Sequence, residues 1–96
     1  MNLEVTGIHF NVTDAIKESI EKRLSRLEFA QSHIIDLLFK LIKDNRMYKV
    51  EVKINFRWGS SAHISVDGFD IYEELDRIFD KIESKVKKEK NKIQAH

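Results

Sequence analysis

The chain has 96 residues, no cysteine and a net charge of only +1 at neutral pH. This length predicts one domain, residues 1–96, with enough apolar side chains for a single core. The lack of cysteine excludes a disulfide framework and thiolate chemistry. No apolar run reaches the roughly 20 residues that cross a bilayer, and the N-terminus does not resemble a secretion signal. We therefore expect a cytoplasmic protein.

The first half of the chain predicts a strand, a helix and a second strand. Residues 2–7 alternate between apolar and polar side chains until Gly7, as in a short strand. Thr13 is a suitable N-cap for a helix that runs to about Glu28. Residues 34–43 are too rich in apolar side chains for a strand with one wet face, so this strand is central or covered by a partner.

The second half predicts two strands and a long helix. A turn at Asp44-Asn45 leads into residues 48–57, which alternate regularly, and a second turn follows at residues 59–61. The inward side chains of these two strands are Val50, Val52, Ile54, Phe56, Ala62, Ile64 and Val66. Asp70, with Glu73 three residues later, resembles a capping box at the start of a helix that reaches His96.

The predicted order is β-α-β-β-β-α. One crossover joins the first two strands, and the remaining strands form a meander. Both helices are therefore expected on one face of a four-stranded sheet. The predicted fold class is an α+β two-layer sandwich, similar in element order to double-stranded-RNA-binding domains.

The last helix has a polar surface that is divided by charge. On a helical wheel centred on Leu75, acids lie on one flank of the apolar stripe and bases on the other. The acidic flank contains Glu73, Asp76, Asp80 and Glu83, and the basic flank contains Arg77, Lys81, Lys85, Lys88 and Lys92. Residues 77–92 carry seven bases against three acids, which favours a polyanionic partner. A solvated helix end with lysines favoured by the macrodipole is the alternative.

The first helix repeats this division with the same sense. Its basic flank contains Lys22, Arg23 and Arg26, and its acidic flank contains Glu18, Glu21 and Glu28. Two helices with the same pattern strengthen the prediction of a polyanion-binding surface. If the helices run parallel, however, the basic flank of one faces the acidic flank of the other. Part of the pattern would then be interhelical ion pairing, and the sequence does not apportion residues between these two roles.

Motifs for catalysis or metal binding are not found in the sequence. The four histidines lack ligand spacing, the isolated glycines cannot form a phosphate loop, and the acid pairs sit on a predicted exposed helix. We predict no enzyme, no metal and no cofactor. Most aromatic residues should be core, with Tyr48 and Trp58 partly exposed near hairpin ends. Binding should depend on phosphate contacts and shape more than on base sequence.

Two segments and the element order carry a resemblance to a known family. The segments are Asn2-Leu3-Glu4-Val5-Thr6-Gly7 and Asp67-Gly68-Phe69-Asp70-Ile71-Tyr72-Glu73-Glu74-Leu75-Asp76, and a lysine-rich tail follows from Lys88 to Ile93. With the order β-α-β-β-β-α, they resemble the ribosome hibernation-promoting factor family, historically called sigma-54 modulation proteins. Because the chain ends at His96, it is similar to the short form or to the translation-inhibiting paralogue. A truncated long form is the third possibility.

The resemblance implies a function and a set of binding residues. Such a protein occupies the channel for messenger RNA and transfer RNA on the small ribosomal subunit, blocks translation in stationary phase or stress, and promotes inactive ribosome dimers. A short form would act with a separate ribosome modulation factor. Basic positions of the family are matched by Lys17, Arg23, Arg26, Lys81, Lys88, Lys90 and Lys92, and the extra bases Lys22, Arg77 and Lys85 strengthen the same flanks.

Two other functions are compatible with the sequence. The element order favours a general double-stranded RNA-binding module that reads duplex shape. Alternatively, the outward residues predicted on the second strand, Ile34, Leu38 and Ile42, would form an apolar patch for a protein partner or a second copy. Such a dimer could coexist with ribosome binding.

Overall fold

A computed structural model describes residues 1–94 of the chain. The four strands and three helical segments confirm the predicted order β-α-β-β-β-α, with one addition. The strands are β1 (Asn2–Ile8), β2 (Ile34–Asp44), β3 (Met47–Phe56) and β4 (Ser61–Gly68); the helices are α1 (Asp14–Arg23), the 3₁₀ helix η1 (Leu24–His33) and α2 (Ile71–Gln94). The last two residues of the predicted final helix lie outside the described residues.

The sheet has the strand order β1-β2-β3-β4, which confirms β2 as a central strand. β1 pairs with β2 in parallel, and the other two pairings are antiparallel. On one face the inward side chains of β3, including Val50, Val52 and Ile54, are buried beneath the helices. On the other face Lys40 and Lys53 are exposed. The helices thus cover one face only, as a two-layer sandwich requires.

The start of β2 differs from the prediction. The pairing with β3 shifts between Ile34 and Asp36, and this irregularity changes which side chains point inward. Ile34 is 1% exposed in the core, whereas Ile35 is 47% exposed. The prediction that Ile34 faces outward with Leu38 and Ile42 is therefore wrong for Ile34. Leu38 and Ile42 do lie on the outer face, where both are half-buried.

The first helix is shorter than predicted. Thr13 caps α1 by accepting a hydrogen bond from the Ile16 amide, but α1 ends at Arg23 and the chain continues as η1. A 3₁₀ helix has three residues per turn, so side chains three apart share a face. Leu24, Leu27, Ala30 and His33 follow this spacing, and Leu27 and Ala30 are fully buried. The change in period keeps this segment packed on the core until β2 begins.

The apolar stripe of α2 lies on β3 and β4 and forms the centre of the core. Leu75, Ile78, Phe79 and Ile82 are each 0% exposed, and Phe79 stacks on Phe39 of β2 with ring centroids 5.7 Å apart. The Asp70 carboxylate accepts a hydrogen bond from the Tyr72 amide, which confirms Asp70 as the capping residue. Within the described residues, no helix combines the length and the apolar character needed to cross a membrane.

Phe79→Ala is expected to lower the free energy of unfolding by about 3–5 kcal/mol, because it leaves a cavity where a fully buried ring lay. The matched control is Phe69→Ala, since Phe69 is 73% exposed and its loss should change stability by less than about 0.5 kcal/mol. Urea unfolding followed by circular dichroism measures both. Equal effects of the two substitutions would contradict the assignment of Phe79 to the core.

Candidate nucleic-acid interface

The two α-helices run in the same direction. β4 is antiparallel to β3, and β3 is antiparallel to β2, so β4 points the same way as β1. Each α-helix returns across the sheet after one of these two strands, which makes the helices parallel to each other. With this geometry the basic flank of the first helical segment faces the acidic flank of α2. Part of the charge pattern therefore consists of ion pairs between the helices.

Arg23 is held between its own helix and α2. Its Nε lies 2.7 Å from the Asp76 carboxylate, and its Nη1 donates to the Ser19 carbonyl at 2.8 Å and to the Ser19 hydroxyl. The Arg23 side chain is 20% exposed, so most of it is covered by these neighbours. Arg23 thus joins α1 to α2.

Arg26 lies between two carboxylates of α2. Its Nη2 donates to Asp80 and to Glu83, and its guanidinium carbon is 6.0 Å from the centre of the Phe79 ring. The hydrogen bond to Glu83, followed by the one to Asp80, raises the pKa of Arg26 above its ordinary value. The acidic flank of α2 is therefore largely an ion-pair partner of η1.

Arg77 connects the start of α2 to the end of β4. Its Nη1 donates to the Asp67 carbonyl at 3.0 Å and to the Glu74 carboxylate. Glu74 is 2% exposed and lies against Gly68, where an added Cβ would collide with the Glu74 carboxylate. Glu74 is an acid on the basic side of the α2 wheel, and the structure makes it a buried partner of Arg77.

The remaining basic flank of α2 faces away from α1 and overhangs the β4 edge of the sheet. Lys81, Lys85 and Lys88 line a shallow groove of about 380 Å³ together with Ile64 of β4. Lys81 and Lys88 are exposed. This row, defined as the lysine row Lys81, Lys85, Lys88 and Lys92, follows one side of the helix at intervals of about one turn.

Glu89 lies within the lysine row and pairs with two of its members. Its carboxylate is 3.2 Å from Lys85 Nζ and 3.5 Å from Lys92 Nζ. Burial raises the pKa of Glu89, but the hydrogen bond to Lys85 and the charges of Lys92 and Lys85 outweigh it and lower the pKa overall. One acid is thus shared by two bases, and the row keeps an excess of positive charge.

The other predicted binding residues lie elsewhere. Lys17 is beside Leu3 and Val5 of β1, and Lys22 lines a groove of about 720 Å³ between α1 and Tyr72. Lys90 is half-buried on α2. The structure therefore brings together the lysine row, but it separates this row from the bases of α1.

Lys87 is not among the predicted binding residues, but it contacts an aromatic ring. Lys87 Nζ lies 5.6 Å from the centre of the Phe29 ring, and Phe29 is 40% exposed. The sequence signal for this exposure is the position of Phe29, which lies off the buried spacing of Leu24, Leu27 and Ala30. Among residues 1–94, no group of three histidine, cysteine or acidic side chains is placed to hold a metal ion.

The sequence and the fold both match known proteins. The family model described as Sigma 54 modulation protein / S30EA ribosomal protein matches residues 3–94, and the chain belongs to this family. The ribosome hibernation promoting factor of Klebsiella oxytoca is 26% identical over 98 residues, which cover 100% of both chains. The predicted family resemblance is confirmed. The family consists of binding proteins without catalytic activity, which confirms the prediction that the chain is not an enzyme.

Two solved structures have the same fold. A ribosomal subunit interface protein from Coxiella burnetii superposes with a TM-score of 0.88 at 22% identity, over 95% of this chain and 99% of that chain. The N-terminal domain of Protein Y from Thermus thermophilus gives a TM-score of 0.81 at 27% identity, over 92% and 98%. These likenesses confirm the predicted α+β fold class.

Arg26→Met is expected to lower the free energy of unfolding by about 1 kcal/mol at low salt, because Asp80 and Glu83 would face each other without their shared cation. The difference should shrink in about 1 M salt, which screens the repulsion. Urea unfolding at the two salt concentrations measures it. Lys53→Met on the exposed outer face is the control, and an equal loss there would contradict the role of Arg26.

Glu89→Gln tests the pH dependence of the lysine row. Because the pKa of Glu89 is lowered from its ordinary value of 4.5, its carboxylate stabilises the folded chain above that pH, and the stabilisation is lost as the pH falls through the folded-state pKa. The variant should melt about 2 °C below the wild type at pH 7, and the two should converge in acid. Thermal melts across this pH range measure the difference in melting temperature between the variant and the wild type. A difference that grew at low pH would contradict the pairing of Glu89 with the lysines.

Proposed function

We propose that this protein binds the small ribosomal subunit in the channel for messenger RNA and transfer RNA. There it would block translation during stationary phase or stress and promote inactive ribosome dimers. Family membership supports a ribosomal partner, and so do the names of the relatives, a hibernation promoting factor and a subunit interface protein. The observation that carries the proposal is the lysine row on α2, which lies on the flank away from α1 and holds four bases against one paired acid, Glu89.

The mechanism is steric occupancy of a cleft lined by RNA. The molecule is elongated, with principal extents of 46 × 21 × 19 Å, and the lysine row runs along its longest element. Each lysine that neutralises a phosphate releases bound counterions, and this gain does not depend on base sequence. No bond is made or broken, so the affinity and the position of the protein determine the inhibition.

The proposed binding residues fall into two groups. Lysines that present their ammonium groups to RNA phosphates form the first group: Lys17, Lys22, Lys81, Lys85, Lys88, Lys90 and Lys92. Arg23, Arg26 and Arg77 form the second, because the guanidinium of each links α2 to a neighbouring element. A guanidinium has five N–H donors, and these ion pairs use one or two nitrogens of each arginine. The arginines thus position the helices and direct their remaining donors to RNA.

The proposal extends to location and partners. A ribosome-bound factor acts in the cytoplasm, and residues 1–96 form its one ribosome-binding domain. A separate ribosome modulation factor would assist dimer formation. A homodimer through Leu38 and Ile42 on the outer face of the sheet is compatible with this activity, because the lysine row lies on the helical layer.

The combined substitution of Lys81, Lys85 and Lys88 by Glu is expected to abolish co-sedimentation with small ribosomal subunits, because three phosphate contacts become repulsive. The matched control replaces Lys40, Lys49 and Lys53 by Glu. It changes the net charge by the same amount, but these residues lie on the outer face of the sheet. The control should sediment like the wild type. Equal sedimentation of both triple variants would overturn the proposed surface, and circular dichroism confirms that each is folded.

Ribosome binding should also weaken steeply with salt. Each neutralised phosphate contributes a slope of about 0.7–0.9 to the fall of log K against log salt, so Lys88→Gln alone should reduce the slope by about one contact. Sedimentation at several salt concentrations measures the slope.

Equal affinity for plain duplex RNA and for small subunits would instead favour a general double-stranded RNA-binding module. A stable dimer that Leu38→Lys disrupts, without ribosome binding, would favour a protein-interaction module.

A further inference from the structure

Partly exposed aromatic rings lie at the end of the molecule where η1 meets the turn between β3 and β4. Phe29 is 40% exposed, and Trp58 and His33 are half-buried. Trp58 stacks on Phe56 with ring planes 6° apart and centroids separated by 5.0 Å, and His33 lies 5.6 Å from Trp58. We call Phe29, His33 and Trp58 the aromatic end.

Two hydrogen bonds hold Trp58 and His33 together at this end. The Arg57 amide donates to the His33 carbonyl at 2.9 Å, and Arg57 Nε donates to the Ser32 carbonyl at 2.7 Å. These bonds join the turn that carries Trp58 to the last residues of η1. Rigid aromatic rings contact a ligand without a large loss of side-chain entropy, so the aromatic end is preorganised for stacking.

The charge around the aromatic end is strongly positive. α2 runs antiparallel to β4, so its C-terminal half lies at the end where β4 begins, and the Lys87 contact with Phe29 shows this directly. Lys87 and Lys90 lie on the η1 side of α2 at this end, Lys88 and Lys92 lie at the same end on the opposite flank, and Arg57 lies in the turn; these bases outnumber Glu28, which precedes Phe29. The nearby Glu89 is already paired with Lys85 and Lys92. A cationic neighbourhood around aromatic rings favours an anionic ligand with flat apolar groups.

We propose that the aromatic end binds unpaired RNA nucleotides by base stacking, while the neighbouring lysines bind their phosphates. This inference rests on the proposed function and adds the kind of RNA that one end of the protein takes. A base inside a duplex already stacks on its neighbours, so only an unpaired nucleotide can offer its face to Phe29 or Trp58. Two or three rings expose too little apolar area for a stable protein interface, which typically buries at least about 1,000 Å².

The chain contains one tryptophan, so its fluorescence reports on Trp58 alone. The probes are a short oligouridylate and a duplex RNA with the same number of phosphates. Quenching by the oligouridylate at concentrations where the duplex leaves the emission unchanged is the expected result. No quenching by the oligouridylate, or equal quenching by both probes, would overturn the proposal.

Variants separate stacking from phosphate binding. Phe29→Leu and Trp58→Leu are each expected to weaken oligouridylate binding about tenfold, as measured by the anisotropy of labelled RNA, and to leave duplex binding unchanged. Trp58→Phe should recover most of the affinity. Phe69→Leu is the matched control, because Phe69 is an exposed ring at the opposite end of α2. Unchanged affinity in both Phe29→Leu and Trp58→Leu, or an equal loss in the control, would overturn the proposal.

Two further measurements keep this test distinct from the test of the proposed function. The salt slope should stay the same in Phe29→Leu, because stacking releases no counterions, and a reduced slope would contradict stacking. Co-sedimentation with small subunits is measured in parallel. Quenching by oligouridylate without ribosome binding would support the aromatic end and overturn the proposed function. Ribosome binding without any loss of oligouridylate affinity in Phe29→Leu would support the proposed function and overturn stacking at the aromatic end.

Discussion

The packing of the apolar stripe of α2 on β3 and β4 determines how the rest of the molecule is arranged. Once Leu75, Ile78, Phe79 and Ile82 are buried, the rotation of the helix about its axis is fixed. One flank must then face η1 and the other must face solvent beyond β4. The hydrophobic contact therefore decides which charges become ion-pair partners and which stay available to a ligand, although it involves none of those charges itself.

The ion pairs across the helices clarify the divided charge of α2. Asp76, Asp80 and Glu83 pair with Arg23 and Arg26, so two of these three negative charges are balanced within the helical layer. The lysine row is opposed by Glu89, which is shared between two lysines. A chain with a net charge near zero thus presents a basic edge, because the acids of α2 other than Glu89 lie on the opposite flank or pair with arginines.

The sequence was sufficient for the fold class because its strands and its long helix have clear periods. It failed at η1, where an α-helical stripe through Leu24 and Leu27 fits as well as a spacing of three. It also failed at Ile34, since no local pattern shows the shift in pairing with β3. For the site, the charge periodicity predicted the two flanks of each helix. It could not predict the contacts of Arg23 and Arg26, because these depend on the direction of one helix relative to the other. The burial of Glu74 depends on Gly68, which lies in β4 and is therefore not part of the helical wheel.

The length of α2 has a thermodynamic consequence. Val86 is fully buried, and the eight residues that follow, through Gln94, extend the helix by about 12 Å. Lysines one turn apart in this segment repel each other by tenths of a kcal/mol, and neighbouring phosphates would remove that repulsion. Helix formation in the last two turns and association with a polyanion therefore favour each other.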